Sequence, residues 1–153
     1  MIRKTVTYHD FDGNEVTKEF YFNLNQMEVR ELDKTIPGGL QPLLEKIQLE
    51  KDTDKIVDLL DMLILWSYGE RDGDDGRFIK EDSKGRRLSK YFKLSEAWDV
   101  MFMDLVQNER ELTDFLLGIL PPETREKVRA EMEGKEVVAA AQPALTPIKG
   151  GKN

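Results

Sequence analysis

The sequence predicts an α+β protein, mostly α, with an N-terminal β-hairpin packed on a bundle of about five or six helices and a flexible C-terminal tail. Three observations lead to that class. Apolar residues alternate in two short runs at the start of the chain. From residue 25 onward they recur at helical spacing, in segments separated by proline, glycine or polar clusters. After Gly134 the period vanishes and alanine, proline and glycine take over.

The hairpin is read over 2–22. Ile2, Val6 and Tyr8 share one face of its first run, interrupted by Lys4. Val16, Phe20 and Phe22 share one face of the second, interrupted by Lys18. Asp10-Phe11-Asp12-Gly13-Asn14 lies between them, and Asp-Gly supplies the positive φ of a tight turn. Two strands alone are marginal in water, so the pair must lean on helices or on another strand. Its free edges are open to a strand from another copy or from a partner.

Asn25 and Glu28 stand in capping-box spacing before a helix running to about Lys34 through Met27, Val29 and Leu32. Ile36-Pro37-Gly38-Gly39 ends it. A second helix, Leu40 to Glu50, gathers Leu40, Leu43, Leu44 and Ile47 on one face and tolerates Pro42 in its first turn. Asp52-Thr53-Asp54 caps the central helix, DKIVDLLDMLILWSY, which Gly69 stops. Asp54, Asp58 and Asp61 form a stripe along its first half, with Ile56, Leu59, Leu60, Leu63 and Trp66 opposite. Leu65 then takes the place of the aspartates, flanked by Met62, Ile64 and Tyr68, so the second half must be enclosed on nearly all sides.

The polar loop GERDGDDGR follows. Its aspartates do not fit an EF-hand, because Gly76 as the sixth residue would put Arg71 and Gly73 at ligand positions. Phe78-Ile79-Lys80 is a short apolar spot, read as a strand or a docking segment. The basic segment KGRRLSKYFK, 84–93, is read as an amphipathic helix with a solvated cationic face. Ser95 caps a helix to Asn108 whose apolar face is Ala97, Trp98, Met101, Phe102, Leu105 and Val106. Val100 and Met103 fall on its polar side, one turn apart, and read as a contact. The next helix, Glu109 to Leu120, carries Leu112, Phe115, Leu116 and Ile119 at i, i+3, i+4 and i+7. Pro121-Pro122 closes the core, and Glu123 to Glu133 is a charged helix with little to pack. These breaks set the boundaries at 1–120, 121–133 and 134–153.

The totals narrow the function. The chain has 153 residues, room for one real core. It has no cysteine, which removes thiolate metal sites and cysteine nucleophiles. Its formal net charge of −7 disfavours nucleic acid. No segment has the length of a membrane span, and MIRKTVTYHDF lacks the apolar core of a signal peptide. There is neither a phosphate-binding glycine loop nor a nucleophile elbow, and His9 is the single histidine. No catalytic residue, metal or cofactor is expected, which leaves a binding or assembly protein.

The opening TVTYHDFDGNEVTKEFYFNLNQMEVREL resembles the start of tail assembly chaperones from long-tailed, siphovirus-type phages of Gram-positive bacteria. The likeness rests on Tyr8, Asp10, Phe11, Gly13 and Asn14, then Phe20 to Leu24. It continues through Gly38-Gly39-Leu40, Tyr68-Gly69-Glu70, Gly76 to Lys80, Ser95-Glu96-Ala97, Phe102 and Leu105, and it covers about residues 3 to 120. The charged segment after Pro121 and the basic KGRR stretch depart from it. The resemblance implies a non-enzymatic protein of the host cell cytoplasm. It implies binding to the tape measure protein, recruitment of tail tube protein, and absence from the finished virion. It also implies a longer frameshifted form, and Gly151-Lys152-Asn153 is compatible with a slippery codon run.

A chaperone for a long helix needs many weak apolar contacts spread over several copies, which favours self-association. The expected contacts are Leu65, Tyr68, Phe78, Ile79, Val100 and Met103. Two other classes compete: a small regulatory protein binding nucleic acid through 84–93, and a structural component that stays in the tail.

Overall fold

The computed structural model describes residues 1–50, 53–73, 76–131 and 133, the side chains of 46–50 and 53 excepted. The expected flexible tail, 134–153, lies outside the described residues, as do Asp52, Asp74 and Asp75. The chain divides into two units, Met1–Pro121 and Pro122–Asn153.

The first unit opens with β1 (Ile2–His9) and β2 (Glu15–Phe22), antiparallel in the register Ile2 to Phe22 and His9 to Glu15. Gly13 has φ +84°, and the Asp10 carboxylate accepts from the amides of Asp12 and Asn14, so the turn is built by one aspartate and one glycine. Even-numbered β1 residues face the helices, where Val6 and Tyr8 are buried, while Arg3, Thr5, Thr7 and His9 face outward. Lys4, the interruption in the apolar pattern, reaches Glu111 at 2.8 Å.

Two further strands join the sheet, in the order β1-β2-β3-β4. The polar stretch read as a loop is a second hairpin: β3 (Tyr68–Asp72) pairs with β2, and β4 (Arg77–Ile79) pairs with β3. Its apolar alternation is too short to read. What orders it is the open edge of β2 and a turn whose Gly73 and Gly76 take φ +50° and +73°. Gly69 is a strand residue rather than a helix stop. A Cβ there would lie 2.6 Å from Phe78 Cζ and 2.8 Å from the Ile79 carbonyl oxygen, so only glycine allows β3 and β4 this approach.

The helices are α1 (Gln26–Thr35), α2 (Leu40–Glu50), α3 (Thr53–Ser67), α4 (Leu88–Lys93), α5 (Glu96–Gln107) and α6 (Glu109–Gly118). The Asn25–Glu28 capping box forms as expected. Met27 does not join the buried face of α1 and stands exposed, because Val29, Leu32 and Ile36 make the contact. Residues 84–87 form a turn, so the helix of the basic segment begins only at Leu88. Ser95 stands at the N-cap of α5 as expected, but its hydroxyl donates to the Phe92 carbonyl at 2.6 Å instead of accepting from a helix amide. Asn108, unread as a cap, accepts from the Glu111 amide and starts α6.

The core forms where the inner face of β1–β2 meets α4 and α6. Phe22 lies 5.2 Å from Phe115 and 5.8 Å from Phe92, and Phe92 stacks on Tyr68 at 4.6 Å and 13°. Leu59, Leu60, Leu63 and Ile64 bury α3, while Leu112, Phe115, Leu116 and Ile119 bury the α6 segment. In the second unit a helix, α7, covers 122–131, and Val128 within it is buried, against the expectation that it had little to pack.

Candidate interaction surface

Helix α5 sets the candidate surface. Ala97, Met101 and Leu105 recur every four residues and are buried, which fixes its rotation. Val100 and Met103 are thereby turned outward, 40% and 50% exposed, beside the exposed acids Asp99 and Asp104. Val100 and Asp104 also wall a cavity of about 400 Å³, whose other wall is β1 from Arg3 to Thr7. At the top of α5, the Glu96 carboxylate accepts from the His9 amide and lies 3.2 Å from His9 Nδ1.

The other expected contact residues do not gather there. Tyr68 is buried at 5% exposure and is a core residue, not docking surface. Burial and then the nearby Glu70 carboxylate push its phenol above the ordinary value. Leu65 is half-buried, and its carbonyl accepts from Arg87 and Ser89, each at 3.2 Å. Phe78 and Ile79 are half-buried in β4.

Several exposed apolar side chains escaped the sequence reading. Phe11 is 86% exposed at the tip of the first hairpin, and Leu94 is 75% exposed between α4 and α5. The signal for Phe11 was present: an aromatic inside a turn motif has no core to enter. Leu94 sat next to a residue read only as a cap.

The basic segment is divided between the fold and the surface. Arg86 bonds Asp82 at 2.9 Å, Arg87 lies 4.9 Å over the Trp66 ring, and Lys93 meets Asp61 at 3.0 Å. Lys84 and Lys90 are exposed. The amides of Arg86 and Lys84, with the Arg86 guanidinium, hold the Asp82 carboxyl below its usual range. Asp72 of the acidic loop pairs with Arg77 at 3.2 Å. Among the described residues no group of three or more histidines and carboxylates could hold a metal ion, and no helix is long and apolar enough to cross a membrane.

Away from α5, Lys80 just after β4 is the most heavily bonded cation among the described residues. Its ammonium meets the Asn23 carbonyl at 2.6 Å, the Trp66 carbonyl at 2.7 Å and both Glu28 oxygens at 2.7 and 2.8 Å. One cation thus ties the ends of β2 and α3 to the start of α1. Burial pulls its pKa below the ordinary lysine value, and the Glu28 carboxylate opposes that shift.

No curated protein and no solved structure matches the chain. A family model described as phage tail assembly chaperone matches residues 1–149, and the chain belongs to that family.

Proposed function

From membership in the phage tail assembly chaperones, we propose that this protein binds the tape measure protein of a siphovirus-type phage of a Gram-positive host. It keeps that long, apolar-rich chain soluble in the host cytoplasm. Several copies coat one client, tail tube subunits are recruited to the complex, and the chaperone leaves before the virion is finished. A chaperone family points to a non-enzymatic role. A longer form made by frameshifting near Gly151-Lys152-Asn153 belongs to the same reading, and a gene without a slippery run there overturns that part.

The observation that carries the proposal is the pair Val100 and Met103, two large apolar side chains exposed one turn apart on a helix whose other apolar residues are buried or half-buried. Isolated exposed apolar residues are ordinary; adjacent ones on a rigid helix make a contact strip. Weak strips gain strength when many copies act on one chain. Replacing both with aspartate removes the apolar area and adds charge. Tape measure binding is expected to weaken about 10-fold or more, with stability moved by no more than about 0.5 kcal/mol. Unchanged client binding in a pull-down rejects the assignment. Mass spectrometry of purified virions checks the last step: finding the chain in the particle identifies a structural tail component instead.

A further inference from the structure

We propose that the groove between the edge of β1 and helix α5 binds an extended segment of a second protein, which adds to the sheet as a strand and sets a Lys or Arg against Asp104. The inference goes beyond the chaperone reading and holds whatever the client is. Strand β1 ends the sheet, and among the described residues no strand lies on its other side. Its register with β2 runs unbroken from Ile2 to His9, with neither proline nor bulge. The Asp10 amide donates to the Asn14 carbonyl at 2.9 Å, one position beyond that ladder. Hydrogen-bonded pairs alternate along an antiparallel ladder. Even-numbered residues of β1 therefore turn their main-chain groups to β2, while Arg3, Thr5, Thr7 and His9 turn theirs away from it. The contact of the His9 amide with Glu96 agrees with that parity.

Helix α5 does not seal the rest of this edge. Between the two lies the cavity of about 400 Å³, lined by Arg3 to Thr7 on one side and by Val100, Met101 and Asp104 on the other. That volume is within the roughly 300–1,000 Å³ of ordinary ligand sites. The outward main-chain groups of Arg3, Thr5 and Thr7 recur along it about every 6.8 Å. Another extended backbone offers donors and acceptors at the same interval. Segments that add a strand in this way gain affinity from main-chain bonds and selectivity from the side chains they meet.

The helix wall sets which side chains those are. Val100 and Asp104 stand four residues apart on α5, about 6 Å along its axis. Side chains on one face of an extended segment recur about every 6.8 Å, so alternate residues would meet the two in turn. Glu96 sits at the His9 end of β1, so α5 runs against β1. A segment antiparallel to β1 therefore runs along α5 and reaches Val100 first. Charge decides the second position. Of the cations lining the cavity, Lys4 pairs with Glu111 at 2.8 Å and Arg3 with Glu19 at 3.7 Å. Asp104 is the remaining charge of the lining and is exposed. The occupant is thus an extended segment with an apolar residue and, two positions later, a Lys or Arg.

The test titrates the full chain into a fluorescein-labelled peptide, Ser-Val-Thr-Lys-Ser, and reads anisotropy. Saturable binding is expected, about 5-fold weaker when glutamate replaces the peptide's lysine. Asp104 is exposed, so Asp104→Lys should fold, as circular dichroism would verify, and should reverse that preference. Methylating the peptide nitrogens that face β1 should weaken binding about 10-fold, because it removes main-chain bonds and leaves every side chain in place. Thr5→Pro removes a groove-facing amide and no bond of the ladder, and it should weaken binding in the same way. Amide exchange should slow at Thr5 and Thr7 when the peptide is added, and stay as it was at Val6, which faces β2. No binding up to about 1 mM overturns the proposal. So does binding that ignores the charge at residue 104 or the methylated nitrogens. A chain that sediments at twice 17.7 kDa and takes no peptide gives the groove to a second copy, which overturns it equally. Asp104→Lys leaves Val100 and Met103 in place, so client capture is read separately and either reading can fail alone.

Discussion

Three side chains show how single residues set the stability of this unit. Lys80 contributes through what its loss would leave behind: a Glu28 carboxylate and two carbonyls, of Asn23 and Trp66, without their cation. Breaking a largely buried pair costs more than the pair gains, so Lys80→Met should destabilise by about 2–4 kcal/mol, read from the urea midpoint. Ser67 is the opposite case. Its hydroxyl is fully buried without a partner among the described residues, so Ser67→Ala should leave the stability unchanged or raise it by about 1 kcal/mol. Tyr68 links stability to alkaline pH. Its phenol keeps its proton in the folded state where the unfolded chain, at the ordinary value of 10.0, has lost it. Raising the pH past that value therefore favours unfolding. Tyr68→Phe should fall less steeply than the native protein between pH 10 and 11.5, and equal slopes would contradict the assignment. Lys80 acts in the contrary sense, its pKa lying below the unfolded value, but it is common to both proteins and cancels in the comparison.

Among the elements, those with their own periodicity were legible and those made by their neighbours were not. The hairpin, α3 and α6 each carry enough apolar residues at one period to declare both type and buried face, and Asn25 with Glu28 announces its cap locally. Strands β3 and β4 are five and three residues long, with exposed Glu70, Arg71 and Asp72, so no alternation could reveal them. Their order comes from β2 and from Gly69, which lets the Phe78 ring lie against the backbone. Gly69→Ala should accordingly cost about 1–3 kcal/mol, because one of the two clashing groups is the Ile79 carbonyl, which cannot swing aside. Gly118→Ala is the control. There the nearest atom is the Ile2 Cδ1 at 2.8 Å, the end of a flexible side chain, and a smaller loss is expected. Equal losses in thermal melts would mean that β4 yields as easily as a side chain. For the candidate site, Val100 and Met103 were readable because they break the polar side of α5. Both edges of the first hairpin were read as free, but β3 takes that of β2; which strand ends a sheet depends on pairings between distant segments, and no local pattern encodes it.

At the scale of the whole molecule, core residues and outward-facing apolar residues share the same elements of the first unit. The aromatic cluster joins the β1–β2 hairpin to α4, α6 and β3 within the first unit, so the cooperative core draws on residues far apart in sequence. Helix α5 is part of that core through Ala97, Met101 and Leu105 and through Trp98, 6.1 Å from Phe92, and the same rotation turns Val100 and Met103 outward. A segment without periodic apolar residues is expected to add little to a cooperative unit. Gly134 to Asn153, rich in alanine, proline and glycine, has that sequence character. Removing it should shift the melting temperature by less than about 2 °C. A fall of many degrees would show that the tail helps close the core. In that case Val128, buried in the α7 helix just before it, would mark where the structural part of the chain continues.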